Sequence, residues 1–282
     1  MTVPSTPWPL AAPVLVLAGA LLGSCGGDGD EQVVLGAPTS VQDSGLLDEV
    51  VREFEGVTNY DVKPLVGGSG QMLEMARQGE FDVILTHSPA DEDKFIADGE
   101  GVEKRPVMRN FFVIAGPETD PAGVRGSEDI RDALGRIAAA GQTFVSRGDN
   151  SGTHRREQSF WEELGIAPEN YPWYQVSGSG QGQSLLVAAD KDAYTLVDSS
   201  TFAAFRERVD LKALFTDNEN SNLYSVIRVS PDKHDVNAAG AVAFAEFLIS
   251  QAGQCLIANF GVEEYGEPLF EPLFGCSIES AG

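Results

Sequence analysis

Positive charge is what this chain has least of. It carries 19 Lys+Arg against 43 Asp+Glu, a formal net charge of −24. The basic footprint of a nucleic-acid binder is missing, so nucleic acid is not expected as a partner. The same surface repels small anions at long range, so an anion must be held by local donors rather than steered in. Histidine and cysteine number only three each. His87, His154 and His234 lie far apart, with no CxxC or HExxH pattern, so no metal site is expected. After residue 25 no apolar run is long enough for a membrane helix. A phosphate-loop Gly-Lys-Ser/Thr is absent. Gly67-Gly68-Ser69-Gly70-Gln71 misses the nucleophile elbow because of Gln71. Gly178-Ser179-Gly180-Gln181-Gly182-Gln183 misses the dinucleotide fingerprint at its last position. No enzyme and no cofactor is therefore expected. A hydrolase using Ser69 or Ser151 with His154 is the enzymatic alternative.

What is present begins with an apolar run, Leu10 to Leu22, of signal-peptide length. Leu22-Gly23-Ser24-Cys25 resembles a bacterial lipoprotein cleavage site. Residues 1–25 then form the signal peptide, Cys25 carries lipid, and 26–32 form a flexible tether. Residues 1–9 depart from the pattern, having no Lys or Arg. The expected location is extracytoplasmic, anchored to the cell membrane. With Cys25 assigned, Cys255 and Cys276 remain, and two cysteines in an exported chain read as one disulfide.

The rest alternates strands, small polar loops and helices. Val33–Ala37 reads as a strand, followed by the loop 39–45 and a helix with Leu46, Leu47, Val50, Val51 and Phe54 on one face. A strand from Asp61 to Val66 feeds Gly67-Gly68-Ser69-Gly70 and a second helix. Phe81–Leu85 is a third strand. This order predicts a parallel sheet with crossover helices, whose ligands sit beyond the carboxyl ends of the strands. Phe111–Ala115 is an apolar strand, and a domain crossing is expected just after it. Ser127 is expected to cap a helix running to Ala140. Thr143-Phe144-Val145 then leads into Ser146-Arg147-Gly148-Asp149-Asn150-Ser151-Gly152-Thr153-His154. The helix beyond buries Phe160, Trp161 and Leu164. Trp173–Val176 leads into the loop 177–183, and Tyr194–Val197 into Asp198-Ser199-Ser200-Thr201. Leu223–Val229 is a strand returning to the first domain, and Asn237–Ala252 a helix.

Four loops, at 39–45, 67–70, 146–153 and 177–183, each join a strand to a helix. Such helix starts leave N–H groups free and favour negative charge. Arg147 adds a fixed fork of donors suited to oxyanions. A bland reading stands beside this one, with Asp149, Asn150 or Ser151 as an ordinary N-cap and Arg147 paired with Asp149.

Several of these motifs occur in the order of a known family. Thr39-Ser40-Val41-Gln42-Asp43-Ser44-Gly45-Leu46-Leu47, Gly68-Ser69-Gly70-Gln71, Ala76-Arg77-Gln78-Gly79, Asp82-Val83, His87-Ser88 and the 146–154 stretch together resemble the tungstate-binding TupA-type subunits of ABC importers. Trp173-Tyr174 and Tyr194-Thr195-Leu196 add to the likeness, which covers about residues 33 to 205. The first loop departs from it, with Ala37-Pro38-Thr39-Ser40 where the family usually has threonines. The resemblance implies a type II periplasmic-binding-protein fold: two α/β lobes, a ligand cleft between them and two crossing strands. Lobe I is expected to comprise 33–115 and 225–282, and lobe II 116–224. It implies a monomeric solute-binding protein that captures tungstate and delivers it to a membrane permease. Phosphate, molybdate, or an anion sensor of the same fold are the alternatives. The expected ligand-binding residues are Thr39, Ser40, Ser69, Arg147, Ser151, Gly152, Thr153 and Gly180.

Overall fold

The computed structural model describes residues 31–276 and Met1. The signal peptide, Cys25 and the tether up to residue 30 lie outside the described residues. The expected tether residues Glu31 and Gln32 already pair, in register, with Tyr60 and Asp61.

The first lobe is built from β1 (Glu31–Pro38), α1 (Thr39–Asp43), α2 (Leu46–Val57), β2 (Tyr60–Gly67), α3 (Ser69–Ala76), β3 (Val83–Thr86) and α4 (Pro89–Ala97). The helix α4 has no counterpart in the expectations above. Its start was legible, with Pro89 in the first turn and Asp91 and Glu92 beside it. The chain then runs along β4 (Gly101–Pro117). The second lobe holds α5 (Ile130–Ala140), β5 (Phe144–Ser146), α6 (Gly152–Glu163), β6 (Tyr174–Val176), α7 (Gln181–Asp190), β7 (Tyr194–Asp198) and α8 (Ser199–Phe205). It is Asp129, not Ser127, that caps α5, accepting from the Asp132 N–H. The return strand β8 spans Leu211–Val229, well beyond the expected Leu223–Val229. The expected helix 237–252 is broken at Ser250 into α9 (Ala238–Ile249) and α10 (Gln251–Asn259), with the Ser250 side chain capping α10.

The strand order is β2-β1-β3-β8-β4-β7-β5-β6. Pairing is parallel within β2-β1-β3 and within β7-β5-β6. The two long strands β4 and β8 run antiparallel between these sets and belong to both. Parallel sets need crossover helices, and those helices cover their faces. The strand Phe111–Ala115 was expected to end the first lobe. Its residues share cores with later segments: Phe112 and Ile114 with Trp161 and Leu196, Val113 and Ala115 with Leu185 and Val197. An apolar run gives no sign of which core it enters.

The first core gathers α2, α9 and β1, where Phe54 meets Phe244 edge to face at 5.1 Å. Burying one such side chain contributes about 1.5–3 kcal/mol. Among the described residues no single helix is long and apolar enough to cross a membrane.

Cys255, on α10, is bonded to Cys276, 21 residues on. In the chain-entropy account a loop of this size stabilises by roughly 3 kcal/mol. Reduction is expected to lower the unfolding free energy by about that amount, read from urea titrations with and without reductant. Equal midpoints would refute it.

Candidate functional site

The carboxyl ends of the parallel strands face one another across the junction of the lobes. Pro38 leads into α1, Gly67 into α3, Thr86 into His87, Ser146 into Arg147, and Val176 into the loop before α7. The sequence builds these turns from small polar residues because the chain passes from strand to helix within a few positions.

These loops touch. Arg147 is 1% exposed. Its Nη2 donates to Thr39 Oγ1 of the opposite lobe at 2.9 Å and to Asp149 Oδ2 at 2.5 Å, while Nη1 donates to Gln181 Oε1 at 3.0 Å. The His87 N–H donates to Ser69 Oγ at 3.2 Å. Ser151 caps α6, its Oγ accepting from the His154 N–H. The close approach of the lobes is legible at two glycines. A Cβ on Gly152 would sit 2.5 Å from the His87 carbonyl oxygen, and one on Gly70 2.9 Å from the Asn150 carbonyl oxygen. A Cβ on Gly180 would lie 3.4 Å from Thr39 Cγ2. The structure therefore brings Thr39, Ser40, Ser69, Arg147, Ser151, Gly152, Thr153 and Gly180 to one place between the lobes. Two buried side-chain donors there, Arg147 Nε and Thr153 Oγ1, have no hydrogen-bond partner in the protein. Buried groups of this kind cost free energy when left without a partner.

Of the carboxylates nearby, Asp149 and Asp198 accept at both oxygens and Asp43 at one. Asp149 accepts from Arg147 and from the Ser151 N–H. Burial alone would raise its pKa, but the Arg147 charge and the Ser151 donors hold it below the ordinary value. Asp198 accepts from the Thr201 N–H and Oγ1, from Ser200 and from Asn110. Asp43 accepts from the Gly182 N–H, at the start of α7 in the other lobe, at 2.9 Å. Burial raises its pKa, and the Gly182 bond opposes that. At the rim Arg155 pairs across the junction with Asp91 at 3.0 Å. Exposed pairs of this kind contribute little.

Three residues here gave no distinct sequence signal: Asn110, Asn222 and Tyr224. His87 is buried, and that burial lowers its pKa. Glu157 gave none either, although it is buried on α6 with Phe160 and Trp161. It sits beneath the Arg147 loop, accepting from Ser146 Oγ at 2.8 Å, Trp161 Nε1 at 3.1 Å and Tyr174 OH at 2.7 Å. Burial raises its pKa from 4.5 to about 7. The folded protein thus binds the Glu157 proton more tightly than the unfolded chain does. The resulting stability is complete below about pH 4.5 and is lost as pH rises through about 7. The shift corresponds to about 3 kcal/mol. Glu157→Gln is expected to flatten that decline and to raise the urea midpoint at about pH 8. A variant whose pH profile parallels the wild type would show that Glu157 does not titrate there.

Two α/β lobes joined by a pair of crossing strands, with strand ends and helix starts converging at the junction, define the class of periplasmic solute-binding proteins. The profile of the PBP superfamily domain matches residues 26–252. The tungstate-binding protein TupA of Peptoclostridium acidaminophilum is 41% identical over 244 residues, 85% of each chain. A putative ABC transporter anion-binding protein of Haloferax volcanii is 43% identical over 258 residues, 89% of this chain and 75% of that one. The crystal structure of the tungstate ABC transporter from Geobacter sulfurreducens superposes with a TM-score of 0.76 at 37% identity, covering 82% of this chain and 100% of that chain. The chain belongs to the TupA family of ABC-transporter substrate-binding proteins.

Proposed function

We propose that this protein is an extracytoplasmic binding protein that captures tungstate and delivers it to an ABC importer. The supporting observation is the buried donor cluster, Arg147 Nε and Thr153 Oγ1, at a junction where the neighbouring carboxylates accept from protein groups. Tungstate and molybdate carry no proton near neutral pH and need donors only. Hydrogen phosphate needs an acceptor for its proton, and Asp43, Asp149 and Asp198 each already accept from protein groups. This favours tungstate or molybdate over phosphate. The relatives named for tungstate favour the former.

In this reading Thr39, Ser40, Ser69, Ser151, Gly152, Thr153 and Gly180 surround the oxyanion with hydroxyl and backbone donors, and Arg147 supplies the full positive charge. One cation does not neutralise a dianion, so the starts of α3, α6 and α7 supply the remainder. Charge-assisted hydrogen bonds contribute roughly 1.5–3 kcal/mol each. Nanomolar binding requires about −12 kcal/mol, within reach of roughly six or seven donors after the entropic losses. The protein acts as a monomer anchored through lipidated Cys25. We place the lobe crossings within β4 near Phe111 and within β8 near Asn222.

Calorimetric titration with tungstate, molybdate, sulfate and phosphate tests the proposal. Tungstate is expected to bind tightest, with phosphate giving no heat. Tighter phosphate binding would overturn it.

A further inference from the structure

Asn110 and Asn222 are register partners on the two long strands, where β4 and β8 pass from one lobe to the other. Both are buried, at 1% and 3% exposure. Polar side chains at the middle of a buried antiparallel pair need a reason, because each group must find a partner. Here the partners come from both lobes. Asn110 Nδ2 donates to Asp198 Oδ1 and Ser200 Oγ, each at 2.9 Å, where β7 meets α8. Its Oδ1 accepts from Asn222 Nδ2 at 2.9 Å. Asn222 Nδ2 also lies 3.0 Å from Tyr224 OH, and Asn222 Oδ1 accepts from His87 Nδ1 at 2.9 Å. The network then reaches two loops of the first lobe. Tyr224 OH shares a hydrogen bond with Ser40 Oγ at 2.9 Å. His87, whose ring stacks on Tyr224, donates its N–H to Ser69 Oγ.

We infer that Asn110, Asn222 and Tyr224 are positioning residues that make occupation of the cleft and closure of the lobes one event. The inference rests on the tungstate reading of the site. Opening the lobes changes the twist of β4 and β8 at this rung. Asn110 is held by Asp198 and Ser200 on one side and by Asn222 on the other, so a rotation of one lobe against the other breaks part of the set. Water-exposed hinges would exchange such bonds for water at little cost. A buried rung has no such exchange, so the intermediate angles are disfavoured and the hinge has two discrete arrangements. The closed one orients Ser40 and Ser69 from below. In the tungstate reading these residues act on the anion through Ser40 and Ser69, whose geometry they set.

The test uses the mature protein with tungstate as probe, and the variants Tyr224→Phe and Asn110→Ala. Tyr224→Phe removes one hydroxyl while keeping the ring against His87 and Phe270, so it keeps the test open if Asn110→Ala fails to fold. The readouts are the calorimetric Kd and the radius of gyration by small-angle scattering at saturating tungstate. A residue that merely stabilises the fold lowers the melting temperature but leaves saturated protein fully compact. The expected result is a Kd raised about tenfold, with a saturated radius between the wild-type free and bound values. Variants that compact fully, with Kd within about twofold of wild type, overturn the inference. If wild-type protein gives neither heat nor compaction with tungstate, the functional reading itself fails, and the inference fails with it.

Discussion

Arg147→Ala is expected to weaken tungstate binding by about 2–5 kcal/mol, the usual cost of losing a desolvated charged contact. That is roughly thirtyfold to several thousandfold in Kd. The side chain is buried, and its Nη groups are held by Thr39, Asp149 and Gln181 while Nε has no protein partner. Both of these facts matter. Partners on three sides fix the guanidinium plane, and the unpartnered Nε leaves a donor for a ligand. Arg147→Lys is expected to recover only part of the loss, since an ammonium has no planar fork. The competing account is that Arg147 serves only to order its loop through Asp149. Calorimetry separates the two. A variant that melts earlier yet binds tungstate within about threefold of wild type would make the arginine structural.

Gly152→Ala carries the second large effect, and it dissociates binding from stability. The new Cβ would lie 2.5 Å from the His87 carbonyl oxygen and 2.6 Å from His87 Nδ1, both across the junction. A backbone carbonyl has nowhere to move. In an opened molecule that clash is relieved, and alanine is at least as good a helix former as glycine there. The free variant is therefore expected to melt no lower than wild type, while tungstate affinity falls by about a hundredfold or more. Scattering should show it extended under tungstate concentrations that compact the wild type. Full compaction and near-normal affinity would mean that the lobes do not close through this contact.

These expectations draw on two kinds of information. Residues 67–70 and 146–153 were legible as helix-start loops because small hydroxyl residues and glycines between a strand and an amphipathic helix are a local signature. Arg147 stood out because the other three loops carry no Lys or Arg. The bond between Cys255 and Cys276 followed from counting. The parallel sets followed from the alternation of elements, which hydrophobic period reports directly. The bland reading of the Arg147 loop was also partly right: Ser151 is the cap and Asp149 does pair with Arg147. Local patterns were unable to choose between a structural arginine and a ligand-facing one, because both begin with the same sequence.

Other features depended on chain segments far apart. No local pattern shows Asp43 accepting from the Gly182 N–H, 139 residues on at the start of α7. The apolar run at 111–115 was plain, but its core was assigned by pairing with β7 and with the early half of β8. Asn110 and Asn222 are unremarkable in the sequence, and only their register makes them partners. Glu157 looked like one more acidic residue until burial raised its pKa. The sequence by itself determined the alternation of elements, the donor-rich loops and the family, since periodicity and turn chemistry are properties of neighbouring residues. Only the tertiary structure decided which donors stay unpaired, which carboxylates accept from protein groups and which residues lie at the crossing of the lobes, because burial and pairing join segments from tens to more than a hundred positions apart.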